Sequence, residues 1–207
     1  MLKKWMLGGI LLSVSLFSQA TLITAIIDSV DMEGIEVTAT FGDTKQEKLT
    51  WSALSNTLGG VGNDDWSLTL DGKTFGEYDQ GTGDFYGLWE LTNISVSSGI
   101  VGLTIDAGIK SFYFDILYGT NLSTPGSETG REFVANDANA TATFTDVFSE
   151  PDLFGTLDIT NFTLNTGNTL LFLTDTDKVE VPEPSTLFIF ALSLFALINF
   201  RNKHSEN

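Results

Sequence analysis

IEVTATF, residues Ile35–Phe41, is the stretch of sequence that decides the fold. Apolar side chains occupy every second position of this stretch, and glutamate and threonine occupy the positions between them. A period of two is typical of a β-strand with one buried face and one exposed face. Lys110–Tyr118 repeats the pattern, with Phe112 and Phe114 on one face and Asp115 on the other. Both stretches therefore predict half-buried strands.

Further runs have the length and composition of strands, and turn-forming residues separate them. The additional strands are predicted at Leu22–Ile27, Glu47–Trp51, Trp66–Leu70, Phe85–Val96, Ile100–Asp106, Ala140–Phe148, Leu153–Leu164 and Thr169–Thr174. The turns are predicted at Gly59–Asp64, Asp71–Lys73, Gly81–Asp84, Ser97–Gly99, Pro125–Ser127 and Asn165–Asn168. Asp71-Gly72 predicts a hairpin that joins Trp66–Leu70 to Thr74–Phe75. Short strands without an amphipathic helix predict an all-β protein, a single antiparallel β-sandwich of jelly-roll type over residues 21–180.

The composition excludes several classes of function. The formal net charge is −17, from 27 acidic and 10 basic residues, so the surface repels nucleic acid and anionic membranes. The chain has no cysteine, which excludes thiol catalysis, disulfides and sulfur-ligated metals. Its one histidine, His204, lies in the polar tail at the end of the chain. A serine hydrolase with a histidine base and a histidine-rich zinc site are therefore both excluded.

Residues 1–20 have the order of a secretory signal peptide. Lys3 and Lys4 precede an apolar run, Trp5–Phe17, and small residues follow at Ser18 and Ala20. The apolar run is shorter than the roughly 20 residues that a membrane-spanning helix needs. We therefore expect export and cleavage after Ala20.

The other end of the chain has three ordered parts. Residues 181–186 contain Pro182, Glu183 and Pro184, and the two prolines hold the backbone extended. An apolar run follows at residues 187–200, and at 1.5 Å per residue it would form a helix of about 21 Å, short for a bilayer core. The tail, residues 201–207, carries the two cations Arg201 and Lys203, which are expected to stay on the cytoplasmic side. We expect this helix to anchor the chain in the membrane.

This terminal arrangement resembles the PEP-CTERM sorting signal of exported proteins in Gram-negative-type bacteria that make extracellular polysaccharide. The same segment is also labelled an ice-binding protein C-terminal domain, which implies nothing about ice for residues 21–180. The resemblance implies that an exosortase, a protease of the inner membrane, recognises Pro182, Glu183 and Pro184 and processes the chain. It also implies a precursor that faces the periplasm before it reaches the cell surface or the medium.

An interior segment, Phe114–Phe133, is similar to a stretch found in many exported proteins with this kind of signal. Physically, it predicts a core strand that ends in a long loop rich in glycine and proline and returns through Phe133. No activity follows from this similarity.

Acidic loops are the candidate metal ligands, because carboxylate oxygens in loops are what calcium prefers. The candidates are Asp64, Asp65, Asp71, Asp79 and Asp84, and Asp175-Thr176-Asp177 is a further acidic loop in this prediction. None of them has the spacing of an EF-hand. The alternative is that these loops are acidic only because they are solvated. The sequence thus predicts no obligatory cofactor and leaves calcium open.

Other acidic and aromatic residues are candidates for catalysis and for sugar binding. Asp64-Asp65, Glu77, Asp79, Asp84 and Glu90 could supply the two carboxyl groups of a glycosidase, but the required gap between them is not readable from sequence. The rings of Trp51, Trp66, Trp89, Tyr78 and Tyr86 either line a carbohydrate-binding face or fill the core, and the core is favoured.

The preferred interpretation is a non-enzymatic component of the cell surface or extracellular matrix that an exosortase sorts. The first alternative is an adhesin module that binds carbohydrate or calcium, with extracellular polysaccharide as its partner. The second is a secreted enzyme that acts on glycans. Nucleic acid is not an expected partner.

Overall fold

Strands make up the regular structure of the chain, for which a computed structural model describes residues 22–25, 29–55, 58–72, 74, 87–117, 130–148 and 153–180. Nearly all of these residues belong to one unit, Ile23–Val179. Across the described residues the helical structure is limited to two 3₁₀ turns, Ser29–Met32 and Gly108–Lys110. The predicted all-β class is confirmed.

The described strands form two antiparallel sheets. The strands are β1 (Leu22–Ala25), β2 (Glu36–Phe41), β3 (Gln46–Thr50), β4 (Ser52–Ala53), β5 (Leu58–Gly62), β6 (Trp66–Asp71), β7 (Leu88–Asn93), β8 (Ile100–Asp106), β9 (Phe112–Asp115), β10 (Val134–Ala135), β11 (Thr141–Val147), β12 (Leu153–Thr160), β13 (Thr169–Leu173) and β14 (Asp175–Glu180). The larger sheet has the order β1-β14-β9-β12-β8-β2-β3, and β11 pairs with β12. The smaller sheet has the order β10-β13-β7-β6-β5-β4.

The inner faces of the two sheets share one apolar core. In β2 the alternation read from the sequence is present, because Val37, Ala39 and Phe41 are buried while the residues between them are partly exposed. Val37 pairs with Ile105 of β8, so this strand lies inside the larger sheet. The smaller sheet contributes the buried side chains of Trp66, Leu68, Leu70, Trp89, Leu91, Leu170 and Phe172. The arrangement is sandwich-like, with large side chains removed from water between two layers.

The turn predicted at Gly59–Asp64 is wrong over its first part, because Leu58–Gly62 is strand β5. Two glycines of β5 are needed because neighbouring atoms leave no room for a Cβ at their positions. A Cβ on Gly59 would lie 2.6 Å from Nε1 of the buried Trp51, and one on Gly60 would lie 2.5 Å from the carbonyl oxygen of Leu68. Glycine thus marks a close approach within a strand at these positions.

The hairpin predicted from Asp71-Gly72 is wrong, because the strand that follows this turn and pairs with β6 is β7. Every residue of β6 between Trp66 and Asp71 pairs with β7, and those from Ser67 to Asp71 also pair with β5. Both edges of β6 are therefore occupied, one by β5 and the other by β7. A two-residue turn signal says nothing about which distant strand fills an edge, and here the distant strand β7 does so.

No helix among the residues that the structure describes is long and apolar enough to cross a membrane. The predicted helix over residues 187–200 lies outside the described residues, as do the signal peptide and the cleavage position at Ala20.

Candidate functional sites: the acidic residues and the carboxyl-terminal signal

The Asn63–Asp65 turn between β5 and β6 is held by its own side chains. Asn63 Oδ1 accepts the backbone N–H groups of Asp65 and Trp66, at N···O distances of 2.9 and 3.0 Å. Asp65 Oδ1 accepts the hydroxyl of Ser95 at 2.6 Å. The Asp65 carbonyl also accepts the backbone N–H groups of Ile94 and Ser95. Asp65 therefore ties this turn to the segment that follows β7, which is a structural role.

The structure does not bring the calcium candidates together. Asp64 and Asp65 precede β6, whereas Asp71 ends it. At about 3.3 Å per residue, the six positions from Asp65 to Asp71 separate them by roughly 20 Å, too far to share one ion. Within the described part of the chain, no three acidic or histidine residues are grouped as a metal site would require. Asp79 and Asp84 lie outside the described residues.

Asp175-Thr176-Asp177 is not the acidic loop that the sequence predicted, because these residues belong to β14. Asp175 is 4% exposed and Asp177 is 1% exposed. Strand β14 pairs with β9, and the Thr74 hydroxyl donates to the carbonyl of Thr176 at 3.2 Å. The segment is therefore covered by the rest of the domain and does not project into solvent.

Sequence reasoning also missed a buried group of charged residues where β9 and β14 meet. Asp175 is the cross-strand partner of Asp115. The alternation in the sequence predicts that Asp115 faces solvent, but this residue is only 2% exposed. Gly130 approaches Asp115 so closely that a Cβ would lie 2.3 Å from its carbonyl oxygen. The next residue, Arg131, is 4% exposed and donates its backbone N–H to the same carbonyl.

Burial of a charge costs several kcal/mol unless an opposite charge compensates it. Asp115, Asp175 and Arg131, two acids and one base, are all buried in this group. The signal that could have found it is Arg131, an arginine in a chain dominated by acids, placed just before the return of the Phe114–Phe133 segment.

Glu47 is a further polar centre, at the edge of the larger sheet. One of its carboxylate oxygens accepts the indole N–H of the fully buried Trp66 and the side-chain amide of Asn63, both at 3.1 Å. Its other oxygen pairs with Lys45 Nζ at 2.6 Å. The hydrogen bond from Lys45, followed by that from Asn63, lowers the pKa of Glu47 below its ordinary value of 4.5. Glu47 thus joins β3 to the core tryptophan of β6.

The tryptophans do not form a sugar-binding platform. Trp51 is 1% exposed, and Trp66 and Trp89 are fully buried. Trp89 stacks on Phe172 with ring centroids 5.7 Å apart and meets Trp51 at 5.5 Å. The interpretation of these rings as core is confirmed.

The remaining candidates of the sequence analysis occupy separate places. Glu90 is exposed on β7, opposite Thr69 and Leu171. Glu77, Tyr78 and Tyr86 lie outside the described residues.

The carboxyl-terminal signal begins where the last strand ends. Strand β14 runs to Glu180 and pairs with β9 as far as Lys178. Pro182, Glu183 and Pro184, with Arg201 and Lys203 beyond them, follow outside the described residues. The sorting sequence therefore follows the last strand directly in the amino-acid sequence.

Comparison with known protein families identifies this segment. Residues 180–203 match the family described as the PEP-CTERM protein-sorting motif. No curated protein and no solved structure matches the chain. The chain thus carries the signal of an exported protein that an exosortase, a membrane protein, processes and sorts to the cell envelope or surface.

Proposed function

We propose that residues 21–180 form a non-enzymatic component of the cell surface or extracellular matrix, delivered there by sorting through the carboxyl terminus. The observation that carries the proposal is the sorting motif at residues 180–203, which directly adjoins the last strand of the domain. A strongly acidic, cysteine-free domain stabilised by an apolar core is suited to an extracellular role that needs no reducing environment.

The proposed route has three steps. The signal peptide directs export and is removed after Ala20. The apolar helix over residues 187–200 then holds the precursor in the inner membrane, with Arg201 and Lys203 on the cytoplasmic side and the domain in the periplasm. Finally, the exosortase binds the segment around Glu183 as its substrate and releases the domain.

The short connection between the domain and the membrane supports this order of events. Lys178 is the last residue of β14 with a partner on β9, and nine positions separate it from Leu187. A fully extended chain spans at most about 3.5 Å per residue, so the stretch from Lys178 to Leu187 is at most roughly 30 Å long. The enzyme would therefore act on a segment that is close to the folded domain in sequence.

The proposal assigns no catalysis to the domain. This view is supported by the structural roles of acidic residues in the described part of the chain. Asp65 holds a turn, and Asp115 and Asp175 are buried opposite each other on paired strands.

Replacing both prolines of the motif tests the proposal. Pro182→Ala with Pro184→Ala is expected to leave the chain uncleaved in the membrane fraction of its host, because the extended backbone that presents Glu183 is lost. The matched control is Pro125→Ala with Pro151→Ala, which removes the two prolines outside the motif. Immunoblots of membrane, periplasmic and medium fractions provide the measurement. Normal shedding of the motif variant would contradict the proposed sorting.

A further inference from the structure

Strand β11 is an open edge of the larger sheet. It pairs with β12 along residues 141–147, and no other described strand pairs with it. The Ala107 N–H donates to the carbonyl of Gly155, so the odd-numbered residues of β12 bond to β8. Because hydrogen-bonded positions alternate along antiparallel strands, the even-numbered residues of β12 bond to β11, where their partners are Thr141, Thr143 and Thr145. The backbone groups of Ala142 and Phe144 therefore point away from the sheet.

Other edges among the described strands are short or charged, as sheet edges usually are. Strands β4 and β10 have 2 residues each. Strand β3 carries Lys48, which pairs with Glu36, and Glu47, which pairs with Lys45. By contrast, β11 is 7 residues long, and no charged residue lies between Asp137 and Asp146.

This neutral edge belongs to a chain with a net charge of −17, so most of its surface repels a second copy. At β11 that repulsion is weakest. Threonine and valine have high β-propensity, and Thr–Thr pairs across strands are favourable. The threonines of β11 are also exposed on the outer face of the sheet, with nothing packed over them.

The edge is complementary to itself in one register. Two antiparallel copies of β11 centred on Thr143 place Thr143 opposite Thr143 and Thr141 opposite Thr145 of the second copy. In this register Ala142 of each copy lies opposite Phe144 of the other, so the outward-pointing backbone groups of the two edges bond to each other. Asp146 then faces Ala140, and the two Asp146 side chains lie roughly 20 Å apart, beyond the screening length of about 8 Å at physiological salt.

We propose that β11 is a self-association edge, through which two copies of this chain join their larger sheets into one continuous antiparallel sheet with two-fold symmetry. The proposal concerns the domain alone and does not depend on how the chain is sorted.

Disulfide trapping tests the register, and the absence of native cysteine makes the experiment clean. In the proposed pair, the two Thr143 residues form a non-hydrogen-bonded pair with Cα atoms about 4.5 Å apart, within the range that a disulfide spans. Thr143→Cys in the exported protein is expected to give a linked dimer on mild oxidation. The matched control is Thr141→Cys. The Cα atoms of the two residues at position 141 would be about 13 Å apart, so this variant is expected to stay monomeric. The readout is a non-reducing gel.

A second variant tests the edge without introducing a thiol. Ala142→Pro removes an outward-pointing N–H and leaves the hydrogen bonds of Thr141, Thr143 and Thr145 to β12 in place. It is expected to sediment as a monomer at concentrations where the wild type and Thr143→Val sediment as dimers, with circular dichroism showing that the fold is retained.

Three results would overturn the proposal. The first is a wild-type protein that stays monomeric at all concentrations while Thr143→Cys fails to crosslink. The second is equal crosslinking of the Thr143→Cys and Thr141→Cys variants, which indicates random collision. The third is a dimer that Ala142→Pro leaves intact, which would place the interface on another surface.

Discussion

Glu47 shows how a single polar residue connects two strands that are distant in sequence. Its carboxylate is 21% exposed, yet it accepts a hydrogen bond from an indole that is fully buried. Buried donors need an acceptor, and the loss of that acceptor costs more than the hydrogen bond itself contributes. Glu47 is therefore expected to matter more for stability than an ordinary surface carboxylate.

The prediction for Glu47→Ala is a loss of about 1–3 kcal/mol of unfolding free energy at neutral pH, since Trp66 Nε1 and Asn63 lose their acceptor. Glu36→Ala is the control, because Glu36 also pairs with a lysine but only at the surface, where such pairs are worth about 0–1 kcal/mol. Urea denaturation followed by tryptophan fluorescence measures both. Equal losses for the two variants would contradict the assigned role.

The pH dependence of this effect has a definite sign. The pKa of Glu47 is lowered in the folded state, so the unfolded state binds the proton more readily. The stabilisation by Glu47 is present above the unfolded pKa and is lost as the pH falls through the folded pKa. The difference in stability between the wild type and Glu47→Ala should therefore shrink below about pH 4.5. A constant difference across this range would show that the charge of Glu47 is not involved.

At the scale of the element, β5 explains why a glycine-rich stretch was predicted as a turn. Three of its five residues are glycines, a composition that favours turns when read locally. In the structure, Gly59 faces the indole of Trp51, whose N–H donates to the carbonyl of Ser29 at 3.2 Å. The strand forms because only a residue without Cβ lets the backbone pass this ring.

Gly59→Ala is accordingly expected to destabilise the protein by about 1–3 kcal/mol, the usual cost of overpacking a filled core. The control is Gly102→Ala in β8, where the nearest heavy atom to a new Cβ is Thr40 Cβ at 3.4 Å. This variant is expected to be neutral or slightly stabilising, because alanine reduces the entropy of the unfolded chain. Thermal melts of both proteins decide the point, and equal midpoints would refute the packing argument.

The strands that were predictable are those whose alternation reflects one covered face. Ile35–Phe41 reads as a strand because its inner face alone meets the core, as the structure confirms. Strand β14 was missed because both of its faces are covered, so Asp175 and Asp177 give no alternation. Their cross-strand partners are Asp115 and Tyr113, which are far away in sequence, and no local pattern encodes such a contact.

At the scale of the whole molecule, the sorting signal was readable because it is linear. Prolines, an apolar run and a basic tail act in the order in which they occur, and their function needs no tertiary contact. The role of the domain is different, since sites depend on residues that the fold brings together. The calcium candidates Asp65 and Asp71 illustrate this, because their positions in sequence look close and the strand between them holds them apart.

The central claim is that residues 180–203 direct the chain out of the cell and to an exosortase. Its most direct test is mass spectrometry of both ends of the protein recovered from fractionated native cells. The account predicts a protein outside the cytoplasm that begins at Thr21 and ends before Arg201. A cytosolic protein that retains every residue from Met1 to Asn207 would contradict it.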